Sequence, residues 1–201
     1  MFFLKNTQSH IICVPLPALD HIPDMKSDAR EKIGVFLRYV MSTFAYQKQQ
    51  DAVLVIKQHP RDRLGVSYSL LIEQLTESLG LKGKVFYGRE FAISRALGAS
   101  NGCVLMGNTV LGFYALSKSV PVKLMGESVY ALFPGVLSTQ SLESFIREPR
   151  MVDDESVVRM LNCIQQETQL AGTFRKCKGS LLLDIHQRMQ SVWDTQHRKE
   201  T

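Results

Sequence analysis

Four short segments of this 201-residue chain carry side chains and turns that suit an anionic or polar ligand. They are Gln58-His59-Pro60-Arg61 with Lys57 just before it, Gly88-Arg89-Glu90, Gly107-Asn108-Thr109, and Gly126-Glu127-Ser128 with Tyr130 close behind. Lys57, His59, Arg61 and Arg89 can each donate to a phosphate or carboxylate oxygen. Pro60 disfavours the helical conformation for His59 and so holds it extended. Glycine at 88, 107 and 126 lets a ligand approach the backbone closely. Asn108 or Thr109 can cap a following helix, and free amides at a helix start suit a phosphate. Each feature has a plain alternative. The turn can cap a helix and do nothing more, His-Pro can simply end a strand, and the cations can be solvated surface charge.

Other chemistries lose support. There is no Gly-x-Gly-x-x-Gly, no Gly-x-x-x-x-Gly-Lys and no Gly-x-Ser-x-Gly, which argues against the usual dinucleotide, P-loop and nucleophile-elbow sites. The four cysteines, Cys13, Cys103, Cys163 and Cys177, form no Cys-x-x-Cys pair, so a zinc site is not expected. Cys13 and Cys103 lie in apolar runs and read as buried free thiols, which suits a reducing cytoplasm. Asp153-Asp154-Glu155 stands at a helix start, where it complements the helix dipole rather than binding metal. No metal or cofactor is therefore expected.

The four segments share a context: each follows a short apolar run. Ile11–Val14, Ala52–Lys57, Lys84–Tyr87, Cys103–Met106 and Pro121–Met125 are nearly continuous in apolar residues, as strands buried on both faces are. Between them lie helical patterns. Ile33, Phe36, Leu37, Val40 and Phe44 form one stripe; Leu71, Ile72, Leu75 and Leu79 form another, closed by Gly80. Phe91–Leu97 and Val110–Ser117 are shorter candidates, and Glu155–Gln169 and Ser180–Trp193 are C-terminal ones. Strand–helix alternation at this interval predicts βαβ units, a parallel sheet and an α/β fold with helices on both faces. Ligands of such sheets bind beyond the carboxyl ends of the strands, where all four segments would stand. The weakest candidate boundary is Ser138–Asp154. It divides the chain into a sheet domain, 1–150, and a C-terminal helical extension, 151–201, packing on the same domain.

Composition agrees with a packed domain. Hydrophobic residues make up 45% and charged residues 21%, and a chain of this size buries roughly 70% of its unfolded surface. The net charge is +5, but the Lys and Arg residues are dispersed, so nucleic acid is not the expected partner. No apolar run is long enough to span a membrane and no signal peptide is evident. A cytoplasmic protein is expected.

In order along the chain, the loops and strands resemble those of one family. Leu54-Val55-Ile56-Lys57-Gln58-His59-Pro60 resembles the "LViKpHP" signature of capsule polysaccharide biosynthesis proteins, which include transferases building the Kdo linker of bacterial capsules. Asn108 to Leu116 resembles their "NSTVGxxAL" stretch, Ser119 to Gly126 their "gkPVkvlG", Tyr130 to Gly135 their "iYdipGL", and Leu142-Glu143-Ser144-Phe145 their "Ld.F". Val14-Pro15-Leu16 with Asp20 is similar to their "PLQ…D" opening segment. The resemblance spans roughly Cys13 to Pro149. It departs from the family in having Thr109-Val110 for Ser-Thr and Pro17 for the glutamine.

The resemblance implies a single GT-B half-domain, a Rossmann-like parallel sheet flanked by helices, with C-terminal helices after it. It implies a glycosyltransferase-type domain that binds a CMP-activated sugar, Kdo or a related acid, for transfer to a polysaccharide or glycolipid acceptor. His59 and the Asn108/Thr109 turn would hold phosphate and ribose, and Glu127 and Tyr130 would line the nucleotide pocket. Most of an N-terminal acceptor domain has no counterpart in the chain, and no catalytic residue is assigned. An alternative follows: a truncated transferase, or a non-catalytic nucleotide-sugar-binding or assembly module working with capsule synthesis and export proteins at the inner membrane. The face left by the missing half could pair two copies as a homodimer.

Overall fold

The computed structural model describes residues 10–18, 26–47, 51–60, 62, 67–89, 91–107, 109–150, 153–168 and 186–190. Five strands form one parallel sheet: β1 (His10–Pro15), β2 (Ala52–Lys57), β3 (Val85–Gly88), β4 (Gly102–Leu105) and β5 (Val122–Leu124). Their order is β3-β2-β1-β4-β5. The predicted runs match these strands to within a residue or two. β1, β2 and β4 are buried along almost their whole length, while the edge strands β3 and β5 are partly open.

The helices are α1 (Lys26–Tyr46), α2 (Ser69–Ser78), α3 (Ile93–Gly98), α4 (Val110–Leu116), α5 (Leu142–Arg147) and α6 (Asp154–Thr168), with a 3-10 turn at Val129–Leu132. α1 packs on α2 and α5, and α3 packs on α4. Strand alternation sorts the core accordingly. Ile12, Val14, Leu54, Ile56 and Val104 join Ile33, Leu37, Val40 and Met41 of α1, Ile72 of α2 and Phe145 of α5 in one cluster. Cys13 and Cys103, paired in register across β1 and β4, belong to the opposite face. The α/β class expected from the sequence is the class observed.

α5 falls inside the stretch singled out as a boundary. Ser141 caps it, its hydroxyl accepting from the Ser144 N–H at 3.2 Å, and Phe145 and Ile146 are fully buried. Asp153 caps α6: its carboxylate accepts from Glu155 N–H at 3.2 Å and from Ser156 N–H at 3.1 Å. The acidic cluster thus has the helix-start role predicted for it. By contacts the chain divides into two compact units, Met1–Val157 and Val158–Thr201. Of the expected helix Ser180–Trp193, residues 186–190 are helical and the rest lies outside the described residues, as does Cys177.

Burial has a consequence for pH. It pushes the Tyr68 and Tyr130 hydroxyls and the Cys13 thiol up to about 12, and the Cys103 thiol well above its ordinary value. The folded state keeps these protons where the unfolded chain, with values near 9 and 10, has lost them. Their contribution is therefore fully present below the unfolded values and is lost as pH rises toward the folded ones. Urea midpoints are expected to hold to about pH 8 and fall steadily from about pH 9 to pH 12. A midpoint unchanged at pH 11 would mean these groups are not buried as described.

Candidate functional site

In an open parallel sheet the crevice forms where neighbouring strands send their connections to opposite faces. Here that place is between β1 and β4. β1 leads into α1 on one face, while β4 leads into α4 on the other. A cavity of about 540 Å³ opens there, lined by Pro15 and Leu16 after β1, Lys57, Gln58, His59 and Pro60 at the end of β2, Ile93 of α3, and Thr109, Val110 and Leu111 at the start of α4.

Alternation along β2 selects the side chains. Lys57 shares the α3/α4 face with Val55, and Gln58 turns to the α1/α2 face. Lys57 is 5% exposed; its ammonium donates to the Arg89 carbonyl and lies 5.2 Å from the centroid of the Phe91 ring, a distance suited to cation–π attraction. Lys57 is also among the residues that line the cavity. His59 is half-buried and reaches the same cavity. Among the described lining residues, Lys57 and His59 are the titratable ones. The rest of the wall is largely apolar. A largely apolar wall with a buried cation and an imidazole favours an anionic group over a neutral one.

Thr109 does what an N-cap does. Its hydroxyl accepts from Leu111 N–H at 3.3 Å, and its carbonyl accepts from Gly112 N–H at 3.0 Å and from the Tyr130 hydroxyl. Asn108 lies outside the described residues, as do Arg61, Asp20 and Glu90.

The remaining predicted site residues stand elsewhere. Tyr130 is fully buried beneath α4, so in this structure it supports the α4 turn and does not line the cavity. Arg89 is not part of the cavity lining; its Nη2 donates to the Asp62 carbonyl at 2.7 Å. Gly88 pairs with Lys57 in the sheet, and a Cβ there would meet the Phe91 ring at 3.2 Å. Gly107 flanks the cavity loop without crowding, its nearest neighbour to a Cβ being Glu127 O at 3.6 Å. Gly126 belongs to a separate apolar groove of about 640 Å³, lined by Glu31, Lys32, Val35, Phe36, Tyr39, Met106 and Met125, and Glu127 is exposed beside it.

Lys57, His59, Pro60 and Thr109 are thus brought together, while Gly126 and Glu127 fall on the other side of the β4 exit. Sequence reasoning missed Ile93, Pro15, Leu16, Val110 and Leu111 as walls; Pro15-Leu16 and Val110-Leu111 gave a signal only as parts of family-like segments. Among the described residues, no group of three His, Cys, Asp or Glu side chains is placed to hold a metal, and no helix is long and apolar enough to cross a membrane.

The sequence model of one family, described as "Capsule polysaccharide biosynthesis protein", matches residues 24–175. The chain is 32% identical over 142 residues to the capsule polysaccharide modification protein LipB of Neisseria meningitidis serogroup A, and equally to that of serogroup B; the match covers 69% of this chain and 33% of each relative. It is 30% identical over 95 residues to the capsule polysaccharide export protein KpsS of Escherichia coli, covering 47% of this chain and 24% of that one. The chain thus spans about a third of the length of the LipB relatives and about a quarter of KpsS. Among solved structures, Thermosulfurimonas dismutans KpsC, a beta Kdo 2,4 transferase, aligns with a TM-score of 0.43 at 14% identity, over 76% of this chain and 44% of that one.

Proposed function

The chain belongs to the capsule polysaccharide biosynthesis protein family, and from that premise we propose that it binds a CMP-activated sugar, Kdo or a related acid, as the donor-side domain of a GT-B glycosyltransferase. The acceptor is a polysaccharide or glycolipid. One observation carries the reading: the cavity at the β1/β4 crevice places the Lys57 ammonium and the His59 imidazole on an otherwise largely apolar wall. A phosphate seated there meets two donors. Charge developing on that phosphate as the sugar leaves would be stabilised most where the donors are already fixed in place. This role requires neither metal nor cofactor. The acceptor, and a base within hydrogen-bond reach of its hydroxyl, lie beyond what these residues supply.

One observation favours a second reading, a module that binds nucleotide sugar or assembles with capsule synthesis and export proteins at the inner membrane without catalysing transfer. The Thr109 hydroxyl, the one hydroxyl left where the family has two, is engaged in capping α4.

Calorimetric titration of the purified chain with CMP, with UMP and AMP as controls, tests the site. Saturable binding with preference for CMP is expected, and His59→Ala should weaken it by about 10-fold or more, a charge-assisted bond contributing roughly 1.5–3 kcal/mol. If a folded wild type binds no nucleotide, the donor-site reading fails. Where CMP does bind, release of CMP from a CMP-sugar separates the two readings, since a binding module does not accelerate it.

A further inference from the structure

Arg89 and Lys57, the cations at the exits of β3 and β2, are each tied to the other side's backbone. Lys57 Nζ donates to the Arg89 carbonyl. Arg89 Nη2 donates to the Asp62 carbonyl at 2.7 Å, and Gln58 Nε2 donates to the same oxygen at 3.4 Å. Gln58 Oε1 accepts from the Tyr87 hydroxyl at 2.8 Å, and the Tyr87 oxygen accepts from Tyr68 N–H at 3.2 Å. Asp62 N–H in turn donates to the His59 carbonyl at 3.2 Å. Asp62 and Gln58 are both buried.

We propose that this clamp, with Arg89 at its centre, positions His59 in the cavity, and that Arg89 acts through the Asp62 peptide rather than by touching the ligand. The inference rests on the reading of the cavity as a phosphate site. Its physical basis is the place where the sheet stops holding the chain. The sheet-type bonding of this segment ends with Gln58 N–H donating to the Gly88 carbonyl at 3.1 Å. His59 comes next, and Pro60 has no N–H with which to continue. The fixed point beyond it is Asp62, whose carbonyl accepts from the side chains of residues at the ends of both β2 and β3. Arg89 makes the shorter of these bonds and the charge-assisted one. Burial strengthens such a bond and makes an abandoned carbonyl costly. Without the guanidinium, the turn loses the shorter, charge-assisted bond at that oxygen, and on this proposal the His59 imidazole shifts with it. A displacement of about 1 Å is enough to lose most of a directed interaction.

The test uses the full chain in two arms. In the first, without ligand, the His59 ring resonances are assigned by their absence in His59→Ala and followed from pH 5 to 8 in wild type, Arg89→Ala and Arg89→Lys. Arg89→Ala should shift the His59 resonances and its titration curve, and Arg89→Lys should restore part of the wild-type pattern. In the second, CMP affinity is measured for wild type, Arg89→Ala, His59→Ala and the double variant. Arg89→Ala should weaken CMP about 10-fold, yet add less than about 2-fold when His59 is already alanine.

Fully additive losses would overturn the proposal, because Arg89 would then meet the ligand itself. So would unmoved His59 resonances in a folded Arg89→Ala protein. Should Arg89→Ala fail to fold, Tyr87→Phe perturbs the same clamp through Gln58 and must move the His59 resonances in the same direction. A wild type that binds no CMP would defeat the cavity reading instead, and the ligand-free arm alone would decide the clamp.

Discussion

Replacing Gly126 with alanine is expected to destabilise the fold by about 3 kcal/mol, the upper part of the usual overpacking range, and to lower the melting temperature by roughly 6–12 °C for a chain of this size. The reason is a backbone contact. A Cβ at Gly126 would stand 2.3 Å from the Met106 carbonyl oxygen. That oxygen is no flexible side-chain tip that can step aside. Met106 follows β4 directly, and β4 and β5 are locked together there by Met125 N–H donating to the Leu105 carbonyl at 2.8 Å. To admit a methyl group, the exits of β4 and β5 must part and that bond must stretch. Gly126 is exposed, so the loss would not come from burial.

Gly107 provides the contrast. A Cβ there finds Glu127 O at 3.6 Å, an ordinary van der Waals distance. Gly107→Ala should therefore change stability by no more than about 0.5 kcal/mol, and any loss of CMP affinity in it would report on ligand approach alone. Thermal melts of the two variants by calorimetry check the pair. Equal melting temperatures would mean that the β4 and β5 exits are not pressed together.

These two glycines show where sequence reading stops. Both follow strands, and both read as places where a ligand comes close to the backbone. Only the packing of one strand exit on the other separates them. The same holds for the charged residues. Lys57 and His59 were legible because they close an apolar strand run, with Pro60 holding His59 extended, and the resemblance had marked that run. Arg89 looked equivalent, yet its guanidinium meets the Asp62 carbonyl, a partner supplied by a loop 27 residues away in sequence.

The strands were readable because β1, β2 and β4 are covered on both faces and so appear as continuous apolar runs. Their spatial order was not, since alternation dictates parallel strands and right-handed crossovers but not which strand ends up central. α5 was not read as a helix; the resemblance touched it through Leu142 and Phe145 without announcing one.

Tyr130 is where local pattern and tertiary fact diverge most, and it yields the second large effect. Its hydroxyl donates to the Thr109 carbonyl and accepts from Phe113 N–H at 3.3 Å. Those two groups, four residues apart, would otherwise bond each other in the first turn of α4. The phenol is inserted between them, and its ring packs edge-on against Phe113 with centroids 4.5 Å apart. Burial, pushing the hydroxyl from its ordinary value of 10 up to about 12, extends its protonated, donating form into the alkaline range. Gly112 admits the ring: a Cβ there would lie 2.6 Å from Tyr130 Cε2 and 2.8 Å from its hydroxyl oxygen.

Two substitutions follow from this wedge, and their combination tests it best. Tyr130→Ala should destabilise by about 3–5 kcal/mol, as large aromatic truncations in cores do. In the native background Gly112→Ala should destabilise by about 2–3 kcal/mol, because the ring has to leave its slot. Once Tyr130 is alanine the slot is empty. Gly112→Ala then acts only on a helix interior, where alanine is favoured over glycine by about 1 kcal/mol. The sign of its effect should therefore reverse, and the coupling between the two sites should reach about 3 kcal/mol, at the top of the range for residues in contact. Urea midpoints of the four proteins measure this directly. A Gly112→Ala effect equally unfavourable with and without the Tyr130 ring would place the glycine's constraint elsewhere and leave the tyrosine as an ordinary core residue. A reversal would establish that a residue resembling a ligand contact instead sets the first turn of α4, and through it the position of Thr109 at the cavity.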